Sequence, residues 1–153
     1  MNKPLLALVA VVWSGAAVAQ TGTACLFTPV ELTPFLGHTP KAGVSSTNRQ
    51  GSVGCQYGME EAPGIFFWVR VTGKCDRQGF QQQARTRQSL SGKTNRVFNG
   101  IGDEAYYSPG GTAAARLGTR CVELSGLRAG AQRVITEPEV QKLLALAVSR
   151  LGR

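Results

Sequence analysis

The clearest hydrophobic pattern in the chain lies near its C-terminus, where apolar residues recur with the period of an α-helix. Residues 136–139 place a threonine three positions before a glutamate, which is the pattern of a capping box at a helix N-terminus. The apolar residues that follow lie on one helical face: Val140, Leu143, Leu144, Ala147, Val148 and Leu151. The pattern predicts a helix that opens at residue 136 and packs this face on a β-sheet.

A second capping box marks the beginning of a shorter helix. Thr28 and Glu31 have the capping spacing, and Pro29 suits the first helical position. Gly37 can end this helix in the left-handed conformation, while Pro34 removes a backbone donor inside it. We therefore expect a short, kinked helix over this segment.

Strands are predicted where the pattern alternates or where β-branched and aromatic residues form a run. Residues 52–58 alternate apolar with small or polar side chains, as a half-buried strand does. Residues 65–72, IFFWVRVT, are nearly continuous in hydrophobicity, which is typical of a central strand covered on both faces. Further short strands are predicted over residues 96–98, 104–108, 112–117 and 120–125.

Residues 79–90 contain helix-forming glutamines and arginines but few apolar side chains. Only Phe80, Ala84 and Leu90 could contact a core, so this helix should lie loosely on the surface. The whole set of elements predicts an α+β fold with a twisted, mostly antiparallel sheet of about five or six strands. The C-terminal helix and the short N-terminal helix are expected to pack on one face of that sheet.

Residues 37–51, GHTPKAGVSSTNRQG, have the composition of a turn and no periodicity, which predicts an exposed loop. His38 is expected to be a surface imidazole, because it has no second histidine and no acid near it in sequence. Together with Lys41 and Arg49 it makes this segment a candidate interaction loop.

The first 19 residues have the form of an export signal. Lys3 precedes an apolar stretch, and Ala17 and Ala19 have the spacing that a signal peptidase recognises. The apolar segment is shorter than the ~20 residues that span a bilayer, which disfavours a membrane anchor. A lipoprotein acylated at Cys25 is the alternative. We expect cleavage after Ala19 and a single disulfide-bonded domain over residues 20–153, in the periplasm or secreted, without a stable membrane span.

All four cysteines lie after the predicted cleavage site and would enter an oxidising compartment. Three pairings are possible. We prefer Cys25 with Cys55 and Cys75 with Cys121, because each bridge then ties a helical or loop segment to a predicted strand. The spacing contains no C-x2-C pair, and His38 is the only histidine, so a zinc site is not predicted. No metal or cofactor is expected.

The formal net charge of +8 favours anionic partners. Basic residues cluster between positions 70 and 96, where Asp76 is the one acid. The cluster is a candidate anionic-ligand surface, and a solvated surface is its alternative interpretation. Its members are Arg70, Lys74, Arg77, Arg85, Arg87, Lys93 and Arg96. Nucleic acid is not expected as a partner, because the chain carries an export signal and shows no nucleic-acid-binding module.

The stretch GIGDEA at residues 100–105 fits the outline of a dinucleotide-binding loop and places two carboxylates side by side. A dinucleotide loop delivers its glycines to a helix N-terminus, whereas strand and turn residues follow here. If Glu104 begins a strand, it and Asp103 point to opposite faces and form no acid/base pair. We therefore expect Asp103 to be a turn residue.

Several short motifs occur together along residues 25–151, and a leucine-rich C-terminal helix follows them. Their positions are Cys25, Leu26, Glu31, Leu36, Gly37, Cys55, Gln56, Tyr57, Gly100, Gly102, Asp103, Ala105 and Tyr106. In this combination the chain resembles small secreted actinobacterial domains of unknown function, which are similar to the extracellular sensor domains of receptor Ser/Thr kinases. The resemblance implies an α+β ligand-sensing or envelope-interaction module without catalytic machinery, and it implies no catalytic residues.

The residues give little support to catalysis, because a lone histidine in a loop leaves nucleophilic mechanisms without a base. We expect an exported, non-catalytic binding module of the cell envelope whose basic surface contacts an acidic polymer or protein. The alternative is a periplasmic inhibitor or immunity factor against a toxin or a cell-wall hydrolase. The sequence leaves the partner and the oligomeric state open.

Overall fold

The computed structural model describes residues 24–131 and 133–151, so the predicted export signal lies outside the described residues. These residues form three helices and seven strands. The helices are α1 (Pro29–Leu36), α2 (Arg77–Ser91) and α3 (Glu137–Leu151). The strands are β1 (Val44–Thr47), β2 (Val53–Gly58), β3 (Phe66–Thr72), β4 (Arg96–Val97), β5 (Glu104–Ser108), β6 (Thr112–Leu117) and β7 (Arg120–Ser125).

The strands form one antiparallel sheet in the order β1-β2-β3-β7-β6-β5-β4, which confirms the α+β prediction. The sheet has seven strands rather than five or six, because β1 lies inside the segment that was predicted to be a loop. Its four residues, VSST, are all exposed. The predicted loop is therefore wrong over residues 44–47: an exposed edge strand has no buried face and shows no apolar alternation.

The two predicted helices α1 and α3 lie in one layer over the sheet. The apolar stripe of α3 is buried against the sheet and α1, as the sequence predicts. The capping box of Thr28 and Glu31 is present, α1 continues through Pro34, and Gly37 ends it with a φ of 76°. Tyr57 joins this layer to β2, because its hydroxyl donates to the carbonyl of Phe27 at 2.8 Å.

The helix α2 packs on the opposite face of the sheet, over β5, β6 and β7. Phe80 is only 3% exposed and contacts Tyr106 with ring centroids 5.4 Å apart. The small side chain of Ala114 completes this second, smaller cluster. Leu90 is 77% exposed, so the prediction that it could contact a core is wrong. The sheet thus has a helical layer on each face, and the α2 layer covers only part of its face.

Both preferred disulfides are present. Cys25 pairs with Cys55, which ties the segment before α1 to β2. Cys75 pairs with Cys121, which ties the start of α2 to β7. Each bridge therefore fixes one helical layer to the sheet.

The strand β3 departs from its prediction in a way that defines the site. Phe67 and Val69 are buried, but Trp68 is 37% exposed and the side chain of Arg70 is 53% exposed. The expectation that both faces would be covered is wrong, because α2 leaves this part of the sheet to solvent. The near-continuous hydrophobicity of the strand comes from aromatic residues on its uncovered side.

Candidate functional site: the open face of the sheet

One surface of β1, β2 and β3 is turned away from α1 and α3 and lies beside α2. Successive strand residues point to opposite faces, so the inward side chains of β2 and β3 alternate with the residues that form this surface. We call it the open face. It consists of Val44, Ser46, Gly54, Gln56, Gly58, Phe66, Trp68 and Arg70.

Two aromatic rings lie on the open face next to glycines of the neighbouring strand. The rings of Phe66 and Trp68 meet edge to face, with centroids 6.2 Å apart. A Cβ atom added at Gly54 would lie 3.9 Å from Cζ3 of Trp68, and one added at Gly58 would lie 3.5 Å from Cε1 of Phe66. Each ring therefore lies beside a strand position that has no side chain, at ordinary van der Waals distance from where a Cβ atom would be. Because the ring planes lie at 74° to each other, a flat group can lie against the face of one ring at a time.

Cationic side chains stand at both ends of this aromatic pair. The Nη1 atom of Arg70 lies 4.0 Å from Oε1 of Glu123, and among the described residues its guanidinium makes no hydrogen bond. Lys41 lies beside Gly58, and its Nζ atom is 3.9 Å from the exposed Glu60 carboxylate. Arg70 therefore has donors available for an anionic ligand.

The open face ends at a buried carboxylate under α2. Glu123 is 5% exposed and accepts from Arg87 at 3.1 Å and from the amide of Gln83. Arg70 and Arg87 thus share one carboxylate, which leaves an excess of positive charge at this border. Burial raises the pKa of the nearby Tyr106 phenol above its usual range, and the Glu123 carboxylate raises it further. Within the described chain the Tyr106 hydroxyl has no hydrogen-bond partner.

The structure distributes the predicted basic cluster over several elements. Arg77 pairs with Glu104 at 2.5 Å, and Arg96 lies 3.8 Å from Glu137 at the start of α3. Arg87 is engaged by Glu123, and Arg70 alone of the seven belongs to the open face. The members without an ion pair in the described part of the chain are Lys74, Arg85 and Lys93. Anion binding by these residues stays a prediction.

The predicted interaction loop is also divided. His38 is half-buried rather than fully exposed, because its ring packs at the end of α1 with Nδ1 3.2 Å from the carbonyl oxygen of Leu36. Lys41 lies next to the open face. Arg49 is exposed in the turn between β1 and β2, where the Asn48 side chain accepts from two backbone N–H groups. An interaction role for these residues is a prediction as well.

The GIGDEA stretch forms a turn that leads into β5. Asp103 accepts from the N–H of Gly118 at 2.8 Å and pairs with Arg116 at 3.2 Å. Gly102 has a φ of 59°, and a Cβ atom there would lie 2.4 Å from the carbonyl oxygen of Arg116. The turn borders a depression of about 350 Å³ whose other wall is α2. The glycine pattern thus serves a close backbone approach in a turn.

No protein-family model, curated protein or solved structure matches this chain. The resemblance to sensor domains therefore stays a prediction. Among the helices over residues 24–131 and 133–151, none combines the length and apolar character that a membrane crossing requires. In the same residues, no group of three or more His, Cys, Asp or Glu side chains is placed to hold a metal ion.

Sequence reasoning missed the open face as a site. Arg70 is among the candidate anionic-ligand residues, but Trp68 lies in a strand that the sequence predicts to be covered on both faces. The available signal was β2, where Gly54, Gln56 and Gly58 occupy every second position. A strand face with two glycines and an amide has little to bury, and the neighbouring side chains on that face are then exposed as well.

Proposed function

We propose that this protein is an exported, non-catalytic binding module that contacts an acidic component of the cell envelope through the open face. The observation that carries the proposal is the exposure of Trp68 beside Arg70 on a regular strand. Both side chains project from the same side of β3, two residues apart, and their backbone is fixed by pairing with β2 and β7.

Aromatic and arginine side chains carry much of the energy in binding surfaces. Tryptophan and arginine are enriched among the residues whose truncation costs most in affinity. Sites on strands hold their side chains more firmly than sites on loops. The open face has both properties, and the net charge of +8 adds long-range attraction for an anionic partner.

Export is supported by the sequence of the first 19 residues together with the two disulfides, since disulfides persist in oxidising compartments. We propose the periplasm or the exterior of the cell as the location. A non-catalytic role is supported by the only histidine, whose Nδ1 atom faces a backbone carbonyl oxygen rather than a nucleophile.

A protein inhibitor or immunity factor is the second candidate function. The hairpin of β1 and β2 favours it, because β1 is an exposed edge strand and Arg49 lies at the adjoining turn. An edge strand and a firm turn are features with which a small domain can contact an enzyme. In this case the hairpin, rather than the open face, would form the centre of the interface.

The proposed function can be tested by recovering crosslinked partners of the exported protein from its native envelope. We expect Trp68→Ala and Arg70→Gln to lose the acidic partner. The matched control is Lys142→Gln, which removes an exposed lysine of α3 on the opposite side of the sheet from the open face. Equal recovery by the wild type and both open-face variants would contradict the proposal.

Salt separates the two candidate functions. Binding of an acidic polymer should weaken steeply as the ionic strength rises, since exposed charges are screened over a Debye length of about 8 Å at physiological salt. A one-to-one complex with a single enzyme that resists moderate salt and depends on Arg49 would favour the inhibitor.

A further inference from the structure

We infer that the occupant of the open face is a single chain of a carboxylated polysaccharide, which lies along β2 with a sugar ring against Trp68 and a carboxylate at Arg70. This inference rests on the proposed function and specifies the partner. It is argued from the size, shape, hydrogen-bonding groups and charge of the face.

The size of the open face favours a chain over a folded protein. Three strands at about 4.8 Å spacing and five residues at about 3.3 Å rise cover roughly 200 Å². A stable protein–protein interface buries about 800 Å² on each partner. A second copy of the chain is also disfavoured, because basic residues outnumber acidic ones in each copy and the two copies would repel each other. A few units of a polymer fit the available area.

The shape of the face is that of a shallow path. Gly54 and Gly58 lie on either side of Gln56 along β2, so the strand presents one short polar side chain between two bare positions. Side chains of β1 and β3 stand along the two sides of this path. The path runs along β2. A linear polymer that lies in it can extend past both ends of the path.

The hydrogen-bonding groups suit sugar hydroxyls. The side-chain amide of Gln56 makes no hydrogen bond with the rest of the described chain, and neither does the indole N–H of Trp68. An amide both donates and accepts, and a hydroxyl does the same. The apolar side of a sugar ring can lie on an aromatic ring, which has an apolar body and a polar tip. A polyanion without rings would use neither feature.

The two cationic side chains of the open face are placed to contact acidic groups along a bound polysaccharide. Gly54 faces Arg70 across the strands, and Gly58 is beside Lys41, so the two cations lie at positions about 13 Å, or four residues, apart along the direction of β2. Arg70 is oriented by Glu123 at one side, while its remaining donors can form paired hydrogen bonds with a carboxylate. Lys41 provides a second, more exposed charge.

The test measures binding of the exported protein to polygalacturonate by calorimetry. Three further probes are compared: fully methyl-esterified polygalacturonate, which keeps the rings without the charge; polyglutamate, which keeps the charge without the rings; and anionic phospholipid vesicles. We expect polygalacturonate to bind at least about tenfold more tightly than each of the others, because only it offers both features.

Variants locate the binding on the open face. Trp68→Ala should weaken polygalacturonate binding by about tenfold or more, and Arg70→Gln by a similar factor. Gly54→Val should block the path by displacing the indole edge. The midpoint of thermal unfolding of this variant should be unchanged or higher. Gly54 is not among the glycines with positive φ, and valine favours a strand. Lys142→Gln, which removes an exposed lysine of α3 on the other side of the sheet, is the control that should bind normally.

The outcomes separate this inference from the proposed function. If polyglutamate or vesicles bind as tightly as polygalacturonate and Arg70→Gln weakens them, the anion-binding function holds and the polysaccharide inference is overturned. If Arg70→Gln and Trp68→Ala leave the binding of every probe unaffected, both are overturned. If none of the probes binds, the polysaccharide inference is overturned, and the recovery of crosslinked partners decides the proposed function. If Gly54→Val melts at a lower temperature than the wild type, its loss of binding does not support the inference. The effect of Trp68→Ala on polygalacturonate binding then decides whether the inference holds.

Discussion

One face of the sheet has two regions that differ in burial. The part under α2 is covered, whereas the open face is exposed to solvent. A single row of paired residues crosses both: Gly54, Arg70, Glu123, Ala114, Tyr106 and Val97. From Arg70 to Glu123, one strand further, side-chain exposure falls from 53% to 7%. The strand pairing is the same on either side of this step. The position of α2, rather than the sheet, therefore decides which residues become core and which stay available for a ligand.

The difference also shows how a polar helix is held in place. Of the residues of α2, only Phe80 is buried, so apolar contact alone contributes little to its docking. The disulfide from Cys75 anchors its beginning, and polar contacts from Arg77 and Arg87 reach carboxylates of the sheet. A helix with so few apolar contacts covers a limited area. The open face is what it leaves uncovered.

The largest expected effect comes from removing the Cys75–Cys121 disulfide. The double substitution Cys75→Ala with Cys121→Ala should lower the free energy of unfolding by about 4 kcal/mol, from the loop entropy of a 46-residue separation. Hydrogen exchange should then show early loss of protection in α2, while β2 and β3 retain theirs. Urea denaturation and amide exchange measure the two quantities. Uniform loss of protection over both regions would show that α2 is not a separately docked layer.

The next effect compares two aromatic residues on the same face of the sheet. Phe80→Ala should cost about 3 kcal/mol or more, because it leaves a cavity between α2 and the sheet. Trp68→Ala should cost less, about 1 to 2 kcal/mol, since its side chain is 37% exposed and leaves no enclosed cavity. Urea denaturation of both variants gives the comparison. Similar costs at the two positions would mean that the open face is part of the core, and it would undermine the proposed site.

Much of the fold could be predicted from the sequence where local signals and burial agree. The stripe of α3, the capping box at Thr28 and the alternation in β2 each specify an element that the structure contains. The strand β1 gave no such signal, because an edge strand with four exposed residues needs no apolar pattern. Its pairing is determined by β2, which a local pattern does not show.

The candidate site was less predictable for a related reason. Residues 65–72 are as apolar as a buried strand, and only the extent of α2 distinguishes exposed Trp68 from buried Phe67. The basic cluster was identified by sequence proximity, yet Arg77 and Arg87 are engaged by glutamates that lie 27 and 36 positions further along the chain. Long-range pairing decides which charges remain available, and proximity in sequence carries little information about it.

The smallest effect concerns the layer of α1 and α3 on the other side of the sheet. It tests whether acid weakens the contact between these two helices. Hydrogen bonds from Arg150 and from the backbone of Thr28 lower the pKa of Glu31 from 4.5 to about 2. A carboxyl group with a lowered pKa in the folded state stabilises the protein fully above its ordinary pKa, and this contribution is lost as the pH falls toward the lower value. The contacts that join α1 to α3 should therefore weaken between pH 4.5 and 2.

Glu31→Gln should lower the free energy of unfolding at neutral pH by about 0.5 to 1 kcal/mol, a small value because the side chain is 36% exposed and its ion pair is screened by solvent. The variant should also lose part of the acid dependence below pH 4.5, since it has no carboxyl group at this position to titrate. Glu60→Gln is the matched control, because it removes an exposed glutamate whose ion pair with Lys41 lies beside the open face. Urea denaturation from pH 7 down to pH 2 compares the three proteins. An acid dependence in Glu31→Gln as steep as that of the wild type would show that the contact of Glu31 with Arg150 is not the acid-sensitive element.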